Sequence, residues 1–263
     1  MPKPTIFVVS GAYHAPEHYE KLKTHLETAG YGCKFASPRY SNPVNGQYAQ
    51  SMDEEIEAVR EPIVKELEIG NNVVVATHSM GAVLGCAAMS GLDEKSRSGT
   101  GKTSHVVGVV CLAGTFLPAG YTVTELGGGE VTPAYYAIEG ETSFARPEKV
   151  TQMYYHDVPE EEQQRYKDLL RPMTLGMWNW RLPDTVTPIK SIPVSYLLCR
   201  QDQAWPYTIQ ESNVKMLSDA GIKVHAEVAN SSHSPFASLP QQTAAFVRNA
   251  AGENIETGFD KHI

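Results

Sequence analysis

The stretch that most constrains this chain is Asn72–Gly85, NVVVATHSMGAVLG. Val73–Val75 is an unbroken β-branched run, the pattern of a strand buried on both faces. Ala82–Met89 is apolar and Ala-rich, and reads as a helix packed on a sheet. Thr77-His78-Ser79-Met80-Gly81 lies between them and leaves room only for a sharp turn with a serine at its apex. Strand, tight turn and helix in that order make a G-x-S-x-G match into a nucleophile elbow. The turn strains the serine backbone, lifts its hydroxyl clear of the sheet and aims the partial positive charge of a helix N-terminus at it. Thr77 stands where the first glycine of that motif usually sits, a larger but still compact choice beside a close strand–helix contact.

The rest of the chain supplies a sheet for this element. Its 263 residues, 41% of them hydrophobic, suffice for one α/β domain with an inserted segment. Thr5–Val9, Cys33–Ala36, His105–Leu112, Val194–Cys199 and Lys223–Val228 read as further strands. Helical patterns fill Pro16–Ala29, Ser51–Gly70, Tyr207–Ala220 and Leu239–Ala251. Gly30 caps the first of these, and Ser51 with Glu54 makes a capping box for the second, which Pro62 should kink. Strands alternating with helices imply crossovers and a mostly parallel sheet. From 118 to 188 the alternation stops. This stretch holds Gly127-Gly128-Gly129, an acidic helical segment Pro159–Leu170, and large apolar side chains including Tyr135, Tyr136, Tyr154, Met177, Trp178 and Trp180. It reads as a cap inserted into a core of residues 1–117 and 189–263. Glu94–Thr103 reads as a solvated loop, since its G-T-G-K-T lacks the spacing and the preceding strand of a phosphate loop. The residues after 251 read as a loose tail.

A net charge of −8 argues against nucleic acid or an anionic membrane surface as partner. No apolar run approaches the roughly 18 residues of a membrane span, so a cytoplasmic location is expected. Cys33, Cys86, Cys111 and Cys199 show no C-x-x-C spacing and read as buried free thiols, with no metal site and no disulfide framework.

Functional groups of an open parallel sheet collect at the carboxyl ends of its strands. Those ends carry Ser10-Gly11-Ala12, Ser79, Asp202 and His233 here. A serine hydroxyl needs a base within hydrogen-bond reach, and the base needs an orienting carboxylate. Asp202 follows the strand Val194–Cys199 and His233 follows the last strand, giving the order serine, acid, histidine. His78 should point away from the serine, and His14 and His18 brace the first loop. His105 and His225 read as structural, His156 and Asp157 belong to the insertion, and His262 to the tail. The amides of Met80 and Ala12 are the candidate oxyanion donors, with Gly11 permitting close approach. Candidate substrate contacts are Gly11, His14, Phe116, Trp205, and Tyr154, Met177 and Trp178 of the insertion, although most of these aromatics are expected simply to pack.

With these positions in hand the chain resembles the α/β-hydrolase superfamily. It is most similar to the small esterase branch of plant methylesterases and hydroxynitrile lyases and their fungal and bacterial relatives. The resemblance rests on VVSGAYHAPEHY (Val8–Tyr19), THSMG (Thr77–Gly81), Asp202 with Trp205-Pro206, and SSHSPF (Ser231–Phe236). It implies a mostly parallel six-stranded sheet without the two antiparallel leading strands, flanked by helices, with a helical cap. It also implies cofactor-free hydrolysis of a small ester or lactone, so the expected partner is a small-molecule acyl substrate, with a homodimer left open. Ser10 replaces the histidine common in the family's first loop. The lyases usually carry a threonine where Gly11-Ala12 stands and a lysine directly after the catalytic histidine. Ser234 in that position favours the esterase side. A ligand receptor with a slow triad, and C–C lyase or cyclase chemistry, remain alternatives on the same fold.

Overall fold

The computed structural model describes residues 2–126 and 134–262, so the Gly127–Gly129 run lies outside the described residues. The first half of the chain forms β1 (Thr5–Val9), α1 (Glu20–Thr28), β2 (Cys33–Phe35), α2 (Met52–Glu68), β3 (Val73–His78), α3 (Gly81–Ala87), α4 (Glu94–Ser98) and β4 (Val106–Leu112). The middle supplies α5 (Val123–Leu126), β5 (Tyr136–Glu139), β6 (Thr142–Ala145), α6 (Pro147–Val150), α7 (Glu160–Asp168), β7 (Met173–Thr174) and α8 (Gly176–Asn179). The last part gives β8 (Val194–Cys199), α9 (Tyr207–Asp219), β9 (Val224–Ala229), α10 (Pro235–Ser238), α11 (Pro240–Ala250) and β10 (Asp260–Lys261).

The main sheet runs β10-β9-β8-β4-β3-β1-β2. Its first six strands in sequence pair in parallel, as expected, and β10 adds an antiparallel edge. The chain moves from β1 outward to β2, then returns to the other side of β1 for β3. Strand order reverses there, and a crevice opens above the carboxyl ends of β1 and β3. Every residue of β3 is buried, which explains why its valine run shows no alternation. The helix pairs α1–α11 and α2–α3 pack against one another along the sheet.

Three local expectations are revised. Glu94–Thr103 is not a plain loop: Asp93 caps α4, and the buried Arg97 donates to the Ser104 carbonyl at 2.8 Å and to Glu68 at 2.9 Å. The tail is not loose either. Asn249 holds both main-chain groups of Ile255, Thr257 bonds Glu227, and β10 pairs with β9. At α2, Ser51 accepts from the Glu54 amide at 3.2 Å, but the Glu54 carboxylate reaches the amide of Gln50 rather than completing a box on Ser51. α2 runs through Pro62 from Met52 to Glu68.

The segment between β4 and β8 is not wholly helical. It carries a three-stranded antiparallel sheet, β5-β6-β7, together with its short helices and a π-helical turn, Thr151–Tyr155. It is tied to the core in part through the loops after β1 and β2. Arg171 N–H donates to the Tyr13 carbonyl at 2.9 Å, Thr174 N–H to the Tyr40 carbonyl at 2.9 Å, and His18 Nε2 to the Tyr166 carbonyl at 3.1 Å. His18 is fully buried, and desolvation lowers its pKa to about 4.

Two predictions follow from this packing. A Cβ on Gly85 would lie 2.5 Å from Thr77 Cγ2, so the small residue missing from the elbow is supplied from the facing helix. Gly85→Ala should destabilise the chain by about 1–3 kcal/mol, and adding Thr77→Ser, which removes Cγ2 but keeps the hydroxyl on the Val110 carbonyl, should restore most of it in urea titrations. For His18, the unfolded chain takes up a proton near 6.5 and the folded one near 4, so stability is lost as pH falls through that window. Glu55, raised to about 8 by burial, acts in the opposite sense. The His18 effect is therefore read against His18→Gln: the stability gap between wild type and variant should narrow by on the order of 3 kcal/mol between pH 7 and pH 4. A gap independent of pH contradicts it.

Candidate active site

Ser79 follows β3 with φ of 50°, in the left-handed region that costs a non-glycine residue roughly 1–3 kcal/mol. Three hydrogen bonds hold it there. Its N–H donates to the Leu112 carbonyl at 3.0 Å, and its carbonyl accepts from Ala82 and Thr115, each at 3.0 Å. A Cβ on Gly81 would sit 2.6 Å from the carbonyl oxygens of both Val9 and Ser10, so only glycine lets α3 start this close to β1. Gly11 is constrained likewise, since a Cβ there would come within 2.8 Å of His78 Nδ1 and 3.1 Å of Ser79 Cβ. The loop after β1 is thus pressed directly against the elbow.

That loop is a tight turn. His14 N–H donates to the Gly11 carbonyl at 3.1 Å, so the Ala12 N–H, trans to that carbonyl, points away from the turn. Among the described residues the amides of Ala12 and Met80 donate to no protein acceptor. Unengaged backbone donors are uncommon in a packed interior, and two on neighbouring segments suit a developing negative charge.

Asp202 and His233 are brought together. His233 Nδ1 donates to Asp202 Oδ2 at 2.6 Å, with both side chains almost wholly buried. The carboxylate takes three further hydrogen bonds: Ala204 and Trp205 amides to Oδ1, each at 2.8 Å, and Gln210 Nε2 to Oδ2 at 2.9 Å. Gln210, on the first turn of α9, is fully buried and also accepts from Cys199 N–H at 2.9 Å. The sequence reading missed it; an uncharged amide one turn into the helix after the acid was the available signal. With Nδ1–H committed to the carboxylate, Nε2 is the ring atom free to take a proton. Among the described residues the Ser79 hydroxyl carries no hydrogen bond, so the link between nucleophile and base is open here. Such contacts commonly tighten only when a substrate is bound.

The insertion clamps the base. Ser232 N–H donates to Asp157 Oδ2 and Ser232 Oγ to the Tyr154 carbonyl, both at 2.8 Å. His156 Nε2 donates to the Gln201 carbonyl at 3.0 Å. The Tyr154 ring centroid lies 5.6 Å from that of His233 and 5.5 Å from that of His14. A second aromatic group leads away from Ala12: Tyr13 stacks on Tyr136 at 5.4 Å, Tyr136 lies 5.3 Å from Trp178, and Trp178 Nε1 donates to Ser143 Oγ at 2.9 Å. Tyr13, with φ of 66° directly after a candidate oxyanion donor, was also overlooked in the sequence.

The remaining candidates divide. His14 is buried with Nδ1 on the Ala12 carbonyl at 2.7 Å and Nε2 facing Tyr155 Oη at 2.9 Å, so both ring nitrogens are taken by the protein. Burial and the neighbouring His18 drive its pKa well down, and it braces the loop as a neutral ring. Met177 has no exposed surface, and Phe116 packs near Tyr196 in the core. Trp205 is half-buried beside the acid, and its buried Nε1 has no partner. His78 turns away from Ser79, as expected, and donates from Nε2 to the His233 carbonyl at 3.0 Å. No group of three or more His, Cys, Asp or Glu among the described residues could hold a metal ion. No helix among them is long and apolar enough to cross a membrane. All four cysteines are buried and free. A cavity of about 950 Å³ lies under the tail at the starts of β8 and β9, and no candidate residue lines it.

A family profile described as "Alpha/beta hydrolase family" matches residues 6–246. The chain is 30% identical to "Alpha/beta hydrolase nvfD" of Aspergillus novofumigatus, over 97% of this chain and 100% of that one. Among solved structures it is similar to a pyrethroid hydrolase from Sphingobium faniae, with a TM-score of 0.73, 18% identity, and 95% and 97% of the two chains covered. It is also similar to the methylesterase MES16 from Arabidopsis, with a TM-score of 0.65, 19% identity, and 94% and 99% covered. With the parallel sheet, the elbow serine and a profile spanning most of its length, the chain belongs to the alpha/beta hydrolase family.

Proposed function

We propose that this hydrolase cleaves a small, apolar or aromatic carboxylic ester or lactone through an acyl-enzyme on Ser79. The observation that carries the reading is the buried His233–Asp202 pair, set beside a left-handed serine and two unengaged amides. His233 Nε2 removes the Ser79 proton as the oxygen attacks the carbonyl, and the Ala12 and Met80 amides receive the oxyanion. His233 then protonates the leaving alkoxide, and a water activated by the same nitrogen releases the acid. Asp202 holds the ring in the Nδ1–H tautomer and offsets its transient charge. Its own four hydrogen bonds fix its orientation. The aromatic rings of Tyr13, Tyr136, Tyr154 and Trp178 favour an apolar substrate. A methylesterase and a pyrethroid hydrolase among the structural relatives support ester cleavage.

The open link between Ser79 and His233 favours a second reading, in which His233 shuttles a proton for C–C cleavage or cyclisation and no acyl-enzyme forms. Ser79→Ala should lower kcat/KM on aryl esters by at least 10³-fold, and mass spectrometry of wild type stopped during turnover should find the acyl group on Ser79. Near-full activity of that variant removes the nucleophile. Full product formation with no adduct selects the proton shuttle. Asp202→Asn should cost on the order of 10⁴-fold in kcat by favouring the wrong tautomer, with KM little changed.

A further inference from the structure

Two tyrosine–histidine pairs lie behind the reaction face, and each holds one backbone carbonyl. Tyr155 and His14 hold that of Ala12, and Tyr19 and His78 hold that of His233. In the second pair every hydrogen has one allowed place. The His233 carbonyl can only accept, so His78 Nε2 carries a proton. Burial and the surrounding imidazoles keep the His78 ring neutral, so its Nδ1 is bare and receives the Tyr19 hydroxyl hydrogen across 2.9 Å. The Tyr19 oxygen then accepts the Gly11 N–H at 3.1 Å. The result is one directed chain, Gly11 to Tyr19 to His78 to His233, through residues that are all buried. Its ends are the loop that carries the Ala12 amide and the main chain that carries the base. Ser10, which opens the first loop, gives no such support, because its buried hydroxyl has no partner.

We propose that Tyr19 and His78 are positioning residues that lock the oxyanion loop and the base loop into one frame around Ser79. Neither touches the reacting atoms. Each fixes a main-chain segment whose partner group does, and the Asp202 carboxylate fixes only the ring of His233, not its backbone. The proposal rests on the hydrolase reading above and adds to it two residues outside the triad and the oxyanion donors.

The test compares Tyr19→Phe, His78→Met and His78→Gln in the full chain. The measurements are aryl ester turnover per site titrated with a fluorophosphonate, thermal melting, and ¹⁵N resonances of the imidazole rings. Tyr19→Phe and His78→Met should each lower kcat per titrated site tenfold or more, with KM within twofold. His78→Gln, whose amide can still donate to the His233 carbonyl, should stay within threefold of wild type. A role in stability alone would lower melting and the number of titratable sites but leave kcat per site unchanged, and that result in Tyr19→Phe overturns the proposal even if His78→Met does not fold. Ser79→Ala run in parallel separates the two claims: an inactive Ser79→Ala with a fully active Tyr19→Phe refutes only the frame. The resonances need no turnover. His78 should show the Nε2–H tautomer in wild type, and the His233 ring signals should broaden in Tyr19→Phe. Unchanged His233 signals overturn the proposal whatever the chain catalyses.

Discussion

The left-handed backbone at Ser79 is the constraint on which the surrounding architecture depends. A non-glycine residue remains in that conformation only if its neighbours leave it nowhere else to go. Here the Leu112 carbonyl holds the Ser79 amide while Ala82 and Thr115 share its carbonyl, so β4, the start of α3 and the loop after β4 all converge on one residue. The convergence requires close approaches, and those fix the glycines at 11, 81 and 85. A motif that looks local in sequence is therefore enforced by long-range packing. The strain is stored where a hydroxyl has to project from the sheet.

Behind this turn the interior is polar but uncharged. His14, His18 and His78 are buried, and desolvation holds all three below the usual imidazole range. A neutral imidazole with one N–H and one bare nitrogen is a directional connector, and each of these rings joins a tyrosine or an amide to a carbonyl. Keeping them neutral avoids placing positive charge beside a base that has to accept a proton. It also makes the layer rigid, since a buried donor without its acceptor would cost about 1–3 kcal/mol.

Much of this was legible in the sequence, for identifiable reasons. The β-branched run at Val73–Val75 and the matching runs of β1, β4 and β8 are buried on both faces, and such strands announce themselves without periodicity. The positions of Asp202 and His233 followed from counting past strand ends, and the two side chains do meet. The β5-β6-β7 sheet was illegible because its strands have two to four residues and half-buried faces, too little for an alternating pattern. Tyr19 and Tyr13 were missed because their importance lies in partners 59 and 130 residues away, which no local pattern encodes. The tail was misread for a similar reason. Its order comes from partners that precede it in the chain: Asn249 for Ile255, Glu227 for Thr257, and Arg248 and Tyr31 for Glu253.

The two-residue strand β10 has a bearing on how the main sheet is bordered. A parallel sheet ends in rows of unpaired main-chain groups that invite another chain to continue it. At one border the row is cut short by the brevity of β2, whose outward Lys34 is tied to Glu66. At the other, the run of β9 would stand open if the polypeptide stopped at Ala250, and the returning Asp260–Lys261 closes it beside Glu227 and Val228. The returning segment thus fills, at that border, the main-chain positions that another strand would otherwise take.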